Sequence, residues 1–151
     1  MDESPRVFID IISVVSRLLK GETERRLSGH GLHVGQQFIL ELLWEQDGLS
    51  PGQIAARLNI EPPTATQSLR RMAAAGLVGF GSDAADGRRV KVWLTRRGRS
   101  LRNVVPRIMS QLDQDALAKL SDDERAELVR LLDLVRSALS RERDRAKSPK
   151  L

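Results

Sequence analysis

A chain of 151 residues, 40% of them apolar, has the size of one ordinary domain and enough material for a real core, which excludes a disordered protein. It contains no Cys, which excludes disulfides, thiolate metal sites and thiol-based redox sensing. The net charge is +5, and no run approaches the roughly 18 uninterrupted apolar residues of a membrane span, so a cytoplasmic protein with no membrane contact is expected.

The first element expected is a helix over 5–28, with Phe8, Ile11, Ile12, Val15, Leu18 and Leu19 forming one apolar stripe. Gly29-His30-Gly31 ends it. A second helix over 35–46 carries Phe38, Ile39, Leu42 and Leu43 and stops at Asp47-Gly48. Ser50-Pro51 then places a cap residue before a proline, the signature of a helix start. The short helix that follows has Ile54, Ala55 and Leu58 as its apolar positions. Asn59-Ile60-Glu61 makes a tight turn, and Pro62-Pro63 opens a helix to about Ala75, with Gly76 as its left-handed terminator. Two short helices so joined are a helix-turn-helix.

Leu77 to Phe80 reads as a short strand and 81–87 as a polar loop. Val90 to Leu94 alternates as the returning strand, with Val90, Val92 and Leu94 on one face and Lys91 and Trp93 on the other. A hairpin directly after a helix-turn-helix is a wing. Thr95 is placed to cap a helix reaching about Ala118 with a kink at Pro106. Ser121 to Glu124 fits a capping box. The last helix shows a seam of Leu128, Leu131, Leu132, Val135, Ala138 and Leu139 with no partner inside the pattern. Residues 141–151 are charged and are expected to fray.

The charge is concentrated. Residues 1–63 carry 6 basic and 9 acidic side chains, 64–102 carry 9 and 2, and 103–151 carry 10 and 9. The whole excess therefore sits on the second helix of the pair, the wing and the start of the next helix. One-signed charge of this kind is either a solvated face or a contact for an acidic partner, of which nucleic-acid phosphate is the commonest.

Three motifs in this order resemble the MarR (multiple antibiotic resistance regulator) family of bacterial transcription factors. The first is Ser50 to Leu58, similar to the family's "LA..L" helix with Ile54 at the usual Leu. The second is Pro62 to Met72 followed by Gly76-Leu77-Val78. The third is Asp86-Gly87-Arg88-Arg89 followed by Leu94-Thr95 and Gly98, similar to the wing signature. One departure is His33-Val34-Gly35-Gln36, where the family usually starts its second helix with Thr-Pro. The resemblance implies a mainly α fold with a small two-stranded β wing, a winged helix-turn-helix with N- and C-terminal dimerisation helices. On that reading 1–151 is one domain, with dimerisation helices at 5–33 and 96–140 and a DNA-binding core at 35–95.

The site residues follow. Thr64, Thr66, Gln67, Arg70 and Arg71 share the polar face of the recognition helix, opposite Ala65, Leu69 and Met72. Thr and Gln exchange hydrogen bonds with base edges, and Arg is bidentate to guanine. Arg88, Arg89 and Lys91 flank the wing loop, whose tip the resemblance places in the minor groove. Asp86 is expected to pair with Arg88 and orient it. Arg96, Arg97, Arg99 and Arg102 oppose the dipole of the next helix, so they contact phosphate or pair with nearby carboxylates.

The resemblance further implies a homodimer on double-stranded DNA. It also implies repression relieved by a small phenolic or anionic effector, with Arg17 and His33 facing its cleft. No cofactor is implied. The only two histidines, His30 and His33, lack the further ligands a zinc site needs and read as turn residues. No nucleophile–base pair supports a hydrolase. A winged-helix protein-interaction module without DNA binding is the alternative.

Overall fold

The computed structural model describes residues 6–82, 85, 87 and 89–148. The chain forms two compact units, residues 1–112 and 113–151.

Helix α1, Val7–Ser28, buries only Thr23 and Leu27. Its apolar N-terminal stretch, including Phe8, Ile11, Val15 and Leu18, is exposed. The turn after it uses Gly31 in the left-handed region (φ 73°), and Leu32 then folds back so that its N–H donates to Leu27 O at 3.3 Å. Helix α2, Gln36–Glu45, starts from Gly35 at φ 95°. The missing Thr-Pro start is replaced by two buried amides. Gln36 Oε1 accepts from His33 N at 3.0 Å, and Gln37 Oε1 accepts from Gly35 N at 2.8 Å. Turn N–H groups that the helix leaves unpaired are satisfied this way. Ile39, Leu40 and Leu43 point into the core, whereas Phe38 is half exposed.

Helices α3, Pro51–Leu58, and α4, Pro62–Ala74, form the helix-turn-helix. Ser50 and Gln53 make a reciprocal capping box at the start of α3, and Asn59 ends it at φ 56°. Pro62 stands in the first turn of α4, where its missing N–H costs nothing. Gly76 follows α4 at φ 73°, as expected.

Strands β1, Val78–Ser82, and β2, Val90–Leu94, pair antiparallel with Val78 opposite Leu94 and Phe80 opposite Val92. Leu49 adds one bridge to Val92, so the loop between α2 and α3 is stitched to the wing. The core of this unit runs from Leu27 and Leu32 through Leu40, Ile54, Leu69, Met72 and Leu77 to Val92, each 0% exposed. Burying one such side chain is worth about 1.5–3 kcal/mol.

Thr95 caps helix α5, Arg96–Ser100. A single helix onward with a kink at Pro106 does not form. Instead a 3-10 turn, Leu101–Asn103, separates α5 from helix α6, Val105–Ala116. Pro106 has no N–H for the Arg102 carbonyl and its ring crowds that oxygen. The chain tightens before it, and Val104 N donates to Leu101 O at 3.0 Å.

The second unit holds the end of α6 and helix α7, Asp122–Lys147. Ser121 and Glu124 form the expected capping box. The helix continues to Lys147, past residue 141 where fraying is expected. Arg145 pairs with Glu142 at 3.0 Å in that last stretch, and such i,i+3 pairs add a few tenths of a kcal/mol, about 0.2–0.5 each. No residue of α7 is buried.

Candidate nucleic-acid interface

Helix α4 has two unlike faces. Ala65, Leu69 and Met72 are completely buried. Thr64, Gln67, Arg70 and Arg71 are exposed, and Thr66 is half-buried beside them. The polar group expected from spacing is therefore real, and it projects from a helix whose back is locked into the core. On the wing, Arg89 is exposed and Lys91 half-buried. Asp86 and Arg88, with their expected pairing, lie outside the described residues.

Trp93 fixes the wing from its other face. Its ring lies against Gly81 and over Gly48, where a Cβ would come within 2.5 Å of it. Gly48 also has φ 74°, so both the conformation and the close ring call for glycine there. Asp47 ties the same corner together. Its Oδ1 accepts from Gly48 N at 3.0 Å and from Leu94 N at 2.9 Å, and its Oδ2 lies 3.5 Å from Arg99.

The arginines after the wing divide. Arg97 is a cross-tie: Nη1 donates to Ala75 O at 2.6 Å and Nη2 to His30 O at 3.1 Å, joining the end of α4 to the turn after α1. Arg99 takes the carboxylate option through Asp47. Arg96 and Arg102 are exposed. Sequence reasoning missed Asp47, Gln36 and Gln37. The Asp47-Gly48 pair signals a turn, but not that its carboxylate reaches 47 residues along the chain.

Residues 32–90, which contain this face and the first strand of the wing, match the MarR family. The HTH-type transcriptional repressor Rv2887 of Mycobacterium tuberculosis is 29% identical over 119 residues, 79% of this chain and 86% of that relative.

Residues 32–90 of this chain carry a MarR-family domain.

The HTH-type transcriptional regulator TtmR of Methylorubrum extorquens is 40% identical over 76 residues, 50% of this chain, so the matched part spans only 39% of that relative. The crystal structure of a MepR–DNA complex from Staphylococcus aureus superposes with a TM-score of 0.78 at 26% identity, covering 87% of this chain and 97% of that one. Rv2887 in complex with salicylic acid superposes with a TM-score of 0.65 at 27% identity, covering 89% and 98%. The mostly helical fold with a two-stranded wing is that of the MarR winged helix.

Of the two residues expected at a MarR effector cleft, His33 is held by Glu24. Its Nδ1 lies 2.6 Å from Glu24 Oε1, while Val34 N donates to Glu24 Oε2 at 2.6 Å. The Val34 N–H first, and then His33, hold the Glu24 carboxyl below the usual range. Arg17 stands seven residues earlier on α1, roughly 10 Å along the axis from Glu24. Among the described residues no group of three or more His, Asp or Glu side chains is placed to hold a metal, and no helix is long and apolar enough to cross a membrane.

Proposed function

We propose that this chain is a sequence-specific DNA-binding repressor that acts in the cytoplasm as a homodimer on a pseudo-palindromic site, with DNA binding modulated by a small phenolic or anionic effector. The observation that carries the reading is the division of α4 into a buried apolar back and an exposed face of Thr64, Gln67, Arg70 and Arg71, beside the cations Arg89 and Lys91. Such a helix presents hydrogen-bonding groups to a major groove while the wing supplies charge alongside. The two superposed structures, one with DNA and one with salicylic acid, support the two halves of the reading. The exposed apolar stretch of α1 and the bare seam of α7 support self-association.

The test is duplex binding on a selected cognate site and on random DNA at two salt concentrations. Gln67→Ala removes an amide able to read adenine, so it is expected to cost about 1–3 kcal/mol on the cognate site and little on random DNA. Arg89→Ala removes a wing cation, so it is expected to weaken both duplexes alike and lower the salt slope by roughly 1. A protected region spanning two half-sites about 10 base pairs apart is expected. Absence of salt-dependent duplex binding would overturn the reading in favour of a protein-interaction module.

A further inference from the structure

The far end of α4 sits in a polar socket. Gly76 N donates to Ala73 O at 3.0 Å and Leu77 N to Met72 O at 2.9 Å, which closes the helix and leaves the carbonyls of residues 75–77 beyond its ladder. The segment after the wing takes all three. Arg97 Nη1 donates to Ala75 O at 2.6 Å, Thr95 Oγ1 to Gly76 O at 2.6 Å, and Thr95 N to Leu77 O at 3.1 Å. The other arm of the Arg97 fork, Nη2, donates to His30 O at 3.1 Å in the turn after α1. A Cβ on Gly31 would stand 2.6 Å from that nitrogen, so turn and guanidinium are in close contact.

The turn is itself fastened to α1. His30 N donates to Leu27 O at 2.9 Å and Leu32 N to the same carbonyl at 3.3 Å, while Glu24 holds Val34 N and His33. Helix α1 buries only Thr23 and Leu27, so what fixes its angle lies at its C-terminal end. The two arms of Arg97 thus grip the two sides of one joint: α1 with its turn on one side, the end of α4 on the other. A guanidinium is planar and its donors form a rigid fork, so two carbonyls on one fork are held at a set separation and angle. Positive charge at the last carbonyls of α4 also suits the helix dipole.

We infer that Arg97 is a positioning residue for DNA reading: it fixes the angle of α4 against α1, and so sets the spacing of the half-sites that the homodimer accepts. The inference rests on the DNA-binding homodimer reading, in which the exposed apolar stretch of α1 meets the second copy. Each recognition helix then stands on a frame built on the two copies of α1, and an error in the α1–α4 angle appears as an error in the separation of the two recognition helices. Arg97 acts through α4, in contrast to the phosphate contact that its place at a helix start suggests.

The test uses duplexes that carry the half-sites selected by the unaltered chain at their selected spacing, the same half-sites with one or two base pairs added between them, or random sequence. The unaltered chain is expected to bind the lengthened duplexes roughly tenfold or more weakly, because the added rise and twist carry one half-site off its recognition helix. In Arg97→Gln the selected site is expected to weaken and most of that spacing penalty to vanish, with random-duplex affinity and the salt slope unchanged. Arg97→Lys keeps the charge but not the fork, and is expected to follow Arg97→Gln. Partial misfolding of a variant would weaken every duplex by one common factor, so the spacing penalty reads position and not folded fraction. A salt slope lowered by roughly 1 would make Arg97 a phosphate contact and overturn the inference, as would full spacing discrimination in Arg97→Lys. Amide hydrogen exchange tests the joint with no DNA present. Both variants are expected to exchange faster at Gly31 and Leu32 on one side and at Gly76 and Leu77 on the other, and a change confined to one side, or none, would also overturn it. If the unaltered chain binds no duplex, the repressor reading falls and takes this inference with it. If duplex binding is intact and the spacing penalty is the same in all three chains, the inference alone falls.

Discussion

Gly98 sits where the chain leaves no room for a side chain. A Cβ there would stand 2.1 Å from Leu77 O and 3.1 Å from Leu94 Cδ2, and the Leu77 carbonyl is itself fixed by the Thr95 N–H at 3.1 Å. Gly98→Ala is expected to lower stability by about 1–3 kcal/mol, read from the urea midpoint. Glu24 gives a residue-scale prediction with a sign. Its carboxyl is depressed in the folded protein, so the stability it contributes is present above the ordinary carboxylate range and is lost as pH falls through the folded value. Glu24→Gln is expected to flatten the acid limb of urea midpoint against pH, and an unchanged limb would show that Glu24 adds nothing. The sequence marked Gly98 only as part of a motif and His33 only as a turn residue or cleft residue. The Glu24–His33 contact spans nine residues and depends on the chain reversing through Gly31 (φ 73°), which no periodicity encodes. The polar face of α4 was legible because 3.6-residue spacing alone separates Gln67 and Arg71 from Leu69 and Met72.

Element boundaries were readable where a side chain caps them. Ser50-Pro51 and Ser121 announce α3 and α7, and both carry complete capping boxes. Ser50→Ala is expected to cost about 1 kcal/mol, because α3 has only eight residues over which to spread the loss of a cap. Thermal melts of the variant check this, and a shift no larger than that of an exposed control such as Ser110→Ala would contradict it. Two features at this scale escaped the sequence. Within α2, both Phe38 and Leu40 are compatible with an apolar stripe, and only the packing of Leu27, Leu32 and Ile54 around the helix selects Leu40. After the wing, Pro106 signalled a disturbance, but the chain relieves it one turn earlier, at Leu101–Asn103, because the clash falls on the carbonyl four residues before the ring.

At the scale of the molecule, what stands out is apolar surface left bare on two helices. Phe8, Ile11 and Leu18 of α1 are 50%, 58% and 66% exposed, and Val129, Leu134 and Leu139 of α7 are 62%, 57% and 62% exposed. Exposed apolar stripes of this kind, on each helix taken by itself, support the proposed self-association. Leu18→Glu and Leu139→Glu are each expected to shift sedimentation at micromolar concentration from dimer toward monomer, and a monomeric unaltered chain would contradict the proposed homodimer. The seam of the last helix was readable from sequence, but its partner was not, since a stripe specifies that something covers it and not what. Helix α7 carries a further consequence. It is 26 residues long, roughly 39 Å, and buries none of them within the chain, while isolated helices gain most of their stability from a packed face. In the proposed homodimer its order would follow mass action, so dilution is expected to melt it and more of the same chain to restore it. On the homodimer proposal the unfolding temperature should climb as protein concentration is raised from nanomolar to micromolar, so the cell's copy number would become one of the quantities that decides how much of α7 is ordered.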